Sequence, residues 1–447
     1  MKESLSKAVF SFKTKILNPS LYKLHQKTET NLLAKDLSDF NFKKRQALFQ
    51  HAMEHSKFYK GKYGKLSMAE TGLCTSEDFL QLPPLTREDL RENFETIKAD
   101  NVASSQYYKA STSGSTSAPV SVLHDKRHLE TPIRWRILQF WGVKPWENQA
   151  FIYRFKKPFW ERVMNTIMWW PTKRIFLAAA NPSTMELEHF VRSFNKIKPT
   201  LLQGYVDVVY EFALYLLDNN IKIHPPKMVW VTSAPLFEEQ RELMEKAFGA
   251  PVCDQYGNTE IMLIAAECPE QNGLHMMHDT VHIEFVDENN QPVPPNTTGK
   301  ILLTDLTNYA FPIIRYEIGD EGQYRDHMCK CGSPLPLMDN VRGRQSMNIE
   351  TPSGLRIKGE HLMAMFKGFM KYFKELQLVQ EPDYSVTIIY IPRDIRKAKD
   401  AVHKMKSSLE KRARNEIKVT ISDKQCIIRK NVKSPLIVSK LQESHSH

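Results

Sequence analysis

Ser111 to Pro119 reads STSGSTSAP, six hydroxyl side chains around one glycine. Backbone N–H groups of such a loop can converge on an anion, and the hydroxyls add donors. The Gly-Lys-Ser/Thr ending of a Walker A loop is missing, which argues against a P-loop nucleotide hydrolase. A solvated linker would have the same composition. A second stretch, DQYGNTE from Asp254 to Glu260, offers a tyrosine to stack on a purine and Gly257 to let a ligand approach the backbone. Its glutamate is a candidate Mg²⁺ ligand; an ordinary strand-to-helix turn capped by Thr259 is the plain alternative. In RYEIGDEGQY, Asp320 follows a glycine, where a carboxylate can accept both hydroxyls of a ribose. In VRGR, Arg344 offers a guanidinium to a phosphate. A turn and a solvated charge, respectively, would explain these two equally well.

A separate group has ligand chemistry. ECPEQNGLH and CKCG supply Cys268, His275, Cys329 and Cys331. Three thiolates and an imidazole can close a tetrahedral Zn²⁺ site with no open position, hence a structural one. His278 competes with His275, and free thiols are the alternative. The other cysteines, Cys74, Cys253 and Cys426, read as packing residues.

The elements that must carry these groups follow from periodicity. The chain has 447 residues, enough for two or three domains, with 41% hydrophobic and 10% aromatic residues, as in a folded globular protein. The first hundred residues read as mostly helical, with LSDFNFKKRQALFQHAMEHSKFYKGKYG as one helical run ending at Gly64 and Thr86 as an N-cap. From the hydroxyl-rich loop to about residue 340, short apolar runs alternate with amphipathic helices. Such alternation predicts an α/β sheet with ligands beyond the strand ends. TVHIEFVDENNQPVPPNTTGKILLTDLTN has period two and an Asn-Asn turn, predicting an antiparallel region. A break near VRGRQSMNIETPSG precedes a small α+β domain with one clear strand, YSVTIIYI, and a basic helix near 395–416.

Six cysteines in so long a chain exclude a disulfide framework. The N-terminus lacks a secretory signal's continuous apolar core, and MNTIMWWPTKRIFLAAA is broken by Pro171, Lys173 and Arg174, so neither is a membrane span. The expected location is cytoplasmic. Lys+Arg 62 against Asp+Glu 51 gives a net charge of +11, which favours anionic partners. That basic excess is spread out and no recognition motif is present, so nucleic acid is not an expected partner. Val9, Phe10, Phe12, Ile16 and Leu17 among lysines suit either a helix packed on the body or peripheral contact with a membrane surface. A homodimer is compatible with the sequence.

The order of these stretches resembles the adenylate-forming superfamily of acyl-CoA synthetases. The hydroxyl-rich loop is followed by TSAPL, YGNTE, RYEIGD and GR, then a small domain with a late lysine. SKFYKGKYG, LPPLTREDLREN and CKCGSPLP resemble its phenylacetate–CoA ligase-like branch, including capsule-biosynthesis-associated relatives. The resemblance covers nearly the whole chain. It implies a large multi-subdomain N-terminal domain, 1–345, and a small α+β lid domain, 346–447, moving about a hinge near 344–347. It also implies that Ser111, Thr112, Ser113, Gly114, Ser115 and Thr116 embrace the ATP β- and γ-phosphates, and that Ser233, Ala234 and Pro235 line the adenine site with Gln255 and Tyr256. Thr259 would contact the α-phosphate, Glu260 would hold Mg²⁺, Asp320 would bind the ribose, and Arg344 would sit nearby. The late catalytic lysine falls on Lys433, with Lys430 as the alternative. Zinc-bearing relatives use the Cys/His positions named above. An acyl pocket would take Trp135, Phe140, Trp141, Tyr153, Tyr205 and Val206, with Arg134 and Arg154 close by, while at least half of these aromatics are expected to be core.

The sequence departs from that pattern. Thr116-Ser117-Ala118 stands where Thr-Gly-Lys is usual, the hinge offers Gln345 or Ser346 instead of an acid, and no glycines precede Lys433. Three functions follow from the resemblance. One is a ligase joining a small carboxylic acid to CoA. Another is an adenylating ligase serving an amine or hydroxyl acceptor, such as a sugar in polysaccharide assembly. The third is a non-catalytic nucleotide-binding protein. The basic helix would suit the CoA nucleotide, an acidic carrier protein, a membrane surface or plain solvent.

Overall fold

The structure is a computed structural model. It describes residues 2–33, 36–112, 119–127, 130–154, 158–179, 182–341, 348–357, 362, 366, 368–369, 372–422 and 436–441. The chain divides into two compact units, one of Met1–Ser111, Ser121–Ile318 and Gly322–Val341, the other of Thr112–Val120, Gly319–Glu321 and Arg342–His447. The expected hinge at 344–347 lies outside the described residues.

The first unit is built on five short strands: β3 (Gln149–Tyr153), β4 (Arg174–Ala178), β5 (Leu201–Tyr205), β6 (Met228–Thr232) and β7 (Val252–Tyr256). They pair in parallel in the order β7-β6-β5-β3-β4. Their sequences are near-continuous apolar runs, as a sheet covered on both faces requires. Ala150, Ile152, Leu202, Val229, Val231 and Val252 bury one face in a core shared with the helices Thr184–Ile197, Val206–Asp218 and Glu238–Phe248. Leu201, Met228, Trp230 and Cys253 bury the opposite face against the helix Thr131–Phe140. The helix ends are set locally. Ser183 and Glu186 form a reciprocal capping box, and Gly249 (φ 62°) stops the helix Glu238–Phe248 in the left-handed region.

Beyond β7 the sheet turns antiparallel through β8 (Ala265–Glu267), β9 (Leu274–Met276), β10 (Val281–Val286), β11 (Thr298–Asp305), β12 (Tyr316–Arg325) and β13 (Leu337–Met338). β10 and β11 pair as the period-two pattern requires, and Asn290 of the Asn-Asn turn has φ 61°. Ahead of β3, a hairpin of β1 (Tyr107–Ser111) and β2 (Ser121–Asp125) brackets the hydroxyl-rich loop.

The N-terminal hundred residues are helical, with capping boxes at Thr75 and Thr86. The run expected as one helix from Leu37 to Gly64 is two, Leu37–His55 and Lys57–Tyr63. Ser56 adopts an extended backbone between them, and its Oγ accepts from Tyr59 N, so the serine ends one helix and caps the next.

In the second unit a four-stranded sheet runs in the order Val419–Ser422, Val386–Pro392, Phe373–Gln380, Ile437–Ser439. The helix Ile395–Arg412 buries Ala398, Ala401, Val402, Met405 and Leu409. Its lysines lie on the other side of that stripe, as amphipathic spacing requires. Among the described residues no helix is long and apolar enough to cross a membrane.

Candidate active site and metal centre

The parallel strands β3, β5, β6 and β7 end on Tyr153, Tyr205, Thr232 and Tyr256, and the sequence-predicted loops follow them. Ser233, after β6, sits at φ 75°, exposed with Ala234, while Pro235 is half-buried. After β7 the chain turns sharply at Gly257. A Cβ there would lie 1.8 Å from the carbonyl oxygen of Met262, so no side chain fits. Asn258 Oδ1 accepts from the N–H of Ile261 and closes the turn. His124 Nε2, on β2, donates to the carbonyl of Thr259 at 2.9 Å. Glu260 is only 2% exposed. Its Oε1 accepts from the Tyr316 hydroxyl at 3.1 Å and lies 3.9 Å from Arg87 Nη1. The carboxylate is therefore positioned from two further segments, β12 and the helix Arg87–Glu92.

Ser111 and Ser121 face each other across the hairpin, Oγ to Oγ 2.9 Å. Thr112 N–H donates to Val120 C=O at 2.8 Å, and Val120 N–H donates to Thr112 Oγ1 at 2.9 Å. Ser113, Gly114, Ser115 and Thr116 lie outside the described residues, as do Arg344, Lys430 and Lys433. Asp320 lies within β12, directly after Gly319 (φ 82°), and not in the plain turn that is the alternative to a ribose contact.

A cavity of about 80 Å³ adjoins the Thr259 turn. His124, Tyr108, Asp305, Asn308 and Ile261 contribute to its wall. Asp305 is held by Thr307, whose N–H and hydroxyl donate to Oδ1 at 2.9 and 2.7 Å, and burial raises its pKa. None of these polar residues was picked out from the sequence. They converge from segments far apart in the chain, which no local sequence pattern links.

The aromatic set expected to line an acyl pocket splits. Trp135 is core, packed edge-on to Phe10 and His25. Trp141 is buried and donates Nε1–H to Glu267 C=O at 2.9 Å, while Phe140 packs on the His275 ring. Val206 is also core. The surfaces of these four are spent on packing, in line with the core alternative for the aromatic set. Tyr153 and Tyr205 do meet at the strand ends, centroids 5.6 Å apart. Arg154 caps them, stacked on Tyr205 and paired with Asp207.

The metal-ligating set does converge. The ligand atoms of Cys268, His275, Cys329 and Cys331 all lie within 4.8 Å of one another. Cys268 Sγ is 3.6 Å from Cys329 Sγ, and Cys331 Sγ is 3.3 Å from His275 Nε2. Tetrahedral zinc with Zn–S near 2.3 Å sets ligand separations of about 3.7 Å, so the cluster fits the ion. His275 is fully buried, and its Nδ1 donates to Leu335 C=O at 3.2 Å, which leaves the Nε2 lone pair facing the thiols. Burial pushes the Cys268 thiol up to about 12 and the His275 imidazole down. A cation among them would reverse the first effect. His278 is excluded as the fourth ligand by its position: its ring neighbours His282, and burial with the charge of Arg45 lowers its pKa to about 4. Cys253 is buried as expected, whereas Cys74 is exposed and so is not a packing residue. Cys426 lies outside the described residues.

A scan against protein-family models gives no match. Protein CapK of Staphylococcus aureus is 23% identical over 334 residues, 71% of this chain and 70% of that protein. Phenylacetate-coenzyme A ligase of Escherichia coli is 22% identical over 312 residues, 66% of this chain and 68% of that protein. The fold matches 2-hydroxyisobutyryl-CoA ligase in its postadenylation state with TM-score 0.71 and 18% identity, over 90% of this chain and 89% of that one. The chain has the fold of an adenylate-forming CoA ligase and is similar in sequence to CapK and to phenylacetate–CoA ligases. In this fold the loops after β6 and β7, and the β1–β2 hairpin, occupy the strand-end edge where α/β sheets bind ligands.

Proposed function

We propose that this ligase activates a small carboxylic acid with ATP and Mg²⁺ and passes the acyl group to CoA. The observation that carries the reading is the Tyr256–Glu260 turn: Gly257 admits no side chain, His124 pins the Thr259 carbonyl, and Glu260 is held by Tyr316. Such a turn presents backbone and a fixed carboxylate to a nucleotide at the strand ends. Glu260 would hold Mg²⁺ as a single protein carboxylate, the remaining ligands being phosphate and water, the usual pattern for this ion. The ion neutralises charge on the phosphates. Thr259 would meet the α-phosphate, Ser233 to Pro235 with Gln255 and Tyr256 the adenine, and Asp320 the ribose. In the first half-reaction the substrate carboxylate forms a bond to the α-phosphorus and pyrophosphate leaves. In the second the CoA thiol attacks the acyl carbon and AMP leaves. Lys433 and Arg344 are proposed to offset the negative charge that both steps concentrate. The hydroxyl-rich loop from Ser111 to Thr116 would hold the β- and γ-phosphates without the usual lysine.

A panel of acids, each with ATP and Mg²⁺ and with or without CoA, tests this reading. Pyrophosphate release with one acid, proceeding to AMP and thioester when CoA is added, is the expected result. Release indifferent to CoA would favour an amine or hydroxyl acceptor. The absent loop lysine and the Gln345-Ser346 hinge keep that second reading in play.

We further propose that Cys268, His275, Cys329 and Cys331 hold structural Zn²⁺, tying the segments after β8 and before β13 to β9. With four protein ligands no position would remain for catalysis.

A further inference from the structure

One face of the parallel sheet carries an excess of unmatched positive charge. Side chains alternate along strands, so Gln149, Phe151 and Tyr153 of β3, Gln203 of β5 and Trp230 of β6 share the face opposite the Ala150–Ile152 core. Arg174 stands beside Gln149 in the same register, and Arg134 descends from the helix Thr131–Phe140. The Arg134 guanidinium stacks on Trp230 at 4.8 Å and Phe151 at 5.9 Å. Arg174 stacks on Phe151 at 4.5 Å and Trp169 at 4.1 Å. Aromatic faces stabilise cations but accept no hydrogen bonds at the N–H groups in the guanidinium plane. Arg134 Nη2 and Arg174 Nε are buried without a hydrogen-bond partner. So are Gln203 Oε1 and Trp230 Nε1 on the same face.

No carboxylate forms an ion pair with either arginine among the described residues; Arg174 reaches only the amide oxygens of Gln149 and Asn165, at 3.1 and 3.4 Å. Burial, then the charge of Arg134, lowers the Arg174 pKa to about 9. Two half-buried guanidiniums that share the Phe151 ring, each with a buried donor unmet, are a costly arrangement. An anion between them would satisfy both.

We propose that Arg134 and Arg174 receive a second carboxylate at the far end of the acid substrate, so that this ligase acts on a compact dicarboxylic acid. The inference rests on the adenylating reading above. The reacting carboxylate would lie at the strand ends, near Tyr153, Tyr205 and the Thr259 turn. Trp230 lies two residues inside the end of β6, about 7 Å of strand. That distance matches a diacid of roughly four to six carbons. Arg134 Nη2–H and Arg174 Nε–H would donate to its distal oxygens, and Tyr153 lies within electrostatic reach of both arginines.

Titration calorimetry of the full chain with glutarate and adipate, against butyrate and valerate, tests the site without requiring turnover. Diacid binding is expected to be at least about 10²-fold tighter than monoacid binding, and to be lost in Arg134→Gln and Arg174→Gln. Arg134→Lys, which keeps the charge, should retain part of it. In pyrophosphate release, the preference for diacid over monoacid in kcat/KM should fall by about 10²-fold in the Gln variants. Diacid binding without pyrophosphate release would uphold the anion site and sink the adenylating reading. Release with monoacids and no diacid preference would overturn the inference and leave that reading standing. So would failure of either diacid to bind more tightly than its monoacid.

A second, independent observation concerns the surface. Lys13 Nζ donates to the carbonyls of Met168 and Trp170 at 2.8 and 2.7 Å, joining the N-terminal helices to the helix Phe159–Trp169. Phe12, Ile16 and Leu17 on one side, and Trp160, Met164, Ile167, Met168 and Trp170 on the other, are all more than half exposed. Among the described side chains of residues 4–17 and 158–173, Lys7, Lys13, Lys15, Arg162 and Lys173 stand against Glu161 alone. Two tryptophans and flexible apolar side chains ringed by lysines suit an interface of acyl chains and anionic headgroups. We infer that this face docks on an anionic bilayer. Vesicles of phosphatidylglycerol and phosphatidylcholine should sediment the protein, salt should weaken the capture, and Trp160→Ser with Ile167→Ser should abolish it without lowering Tm. No capture, equal capture by pure phosphatidylcholine, or a dimer in solution broken by the same substitutions would overturn it.

Discussion

The Tyr316 hydroxyl donates to Glu260 Oε1 at 3.1 Å, tying a residue of the antiparallel sheet to the turn that follows the parallel one. The carboxylate is thereby oriented before any ligand arrives. Glu260→Gln keeps the hydrogen bond to Tyr316 but removes the charge. Adenylation should fall by about 10²-fold or more, the scale of a few kcal/mol of lost transition-state stabilisation. Tm should hardly move. Tyr316→Phe should cost less activity and about 1 kcal/mol of stability. Pyrophosphate-release kinetics and thermal melts of both variants check this.

Gly257 is a packing constraint more than a flexible joint. Because a Cβ would meet the Met262 carbonyl at 1.8 Å, Gly257→Ala must push the Tyr256–Glu260 turn outward. A stability loss of about 1–3 kcal/mol is expected. ATP affinity should fall with it, since the displaced turn no longer faces the nucleotide. Denaturant unfolding and ATP titration would report the two effects separately.

Purified protein is expected to carry one equivalent of zinc, measurable by mass spectrometry. Removing the metal, or Cys329→Ser, should lower stability by about 4 kcal/mol if free zinc stood at a thousand times its Kd. Re-addition of zinc should restore the wild type and not the variant.

Asp254 gives a pH dependence with a definite sign. It is 7% exposed, and burial first, then the neighbouring Glu267 carboxylate, push its pKa up to about 7. Arg241, which pairs with Glu267 at 2.8 Å, opposes the shift. A raised carboxyl pKa means that between about pH 4 and pH 7 the folded state holds a proton the unfolded state has lost. Its contribution to stability is therefore greatest below pH 4 and falls as pH rises to 7. Asp254→Asn should flatten that slope, raising Tm at pH 8 while changing it little at pH 4. Melts across this range decide it.

Much of the fold was legible because its cause is local. Apolar runs such as MVWVT have nowhere to go but a strand covered on both faces, and Gly249 or Thr86 mark helix ends by their own chemistry. The Tyr256–Glu260 turn and the Cys/His cluster were legible for a related reason: few residue types serve for such geometry, and they stand in short stretches, Tyr256–Glu260, Cys268–His275 and Cys329–Cys331. The pocket residues were not. Trp135 and Trp141 have the composition of a pocket and the position of a core, and only packing against Phe10 and the Glu267 carbonyl separates the two. His124 and Asp305 meet across distant segments that no periodicity links. Arg174 reads only as an interruption of an apolar run, with no local sign that it lies on Phe151 with its Nε–H unmet.

ATP–pyrophosphate exchange tests the central claim most directly, because it reports acyl-adenylate formation whatever the acceptor. Exchange that requires a carboxylic acid and Mg²⁺, and that disappears in Glu260→Gln, is the expected result. Tight ATP binding by the wild type with no exchange for any acid would contradict it, and would leave a nucleotide-binding fold without the chemistry.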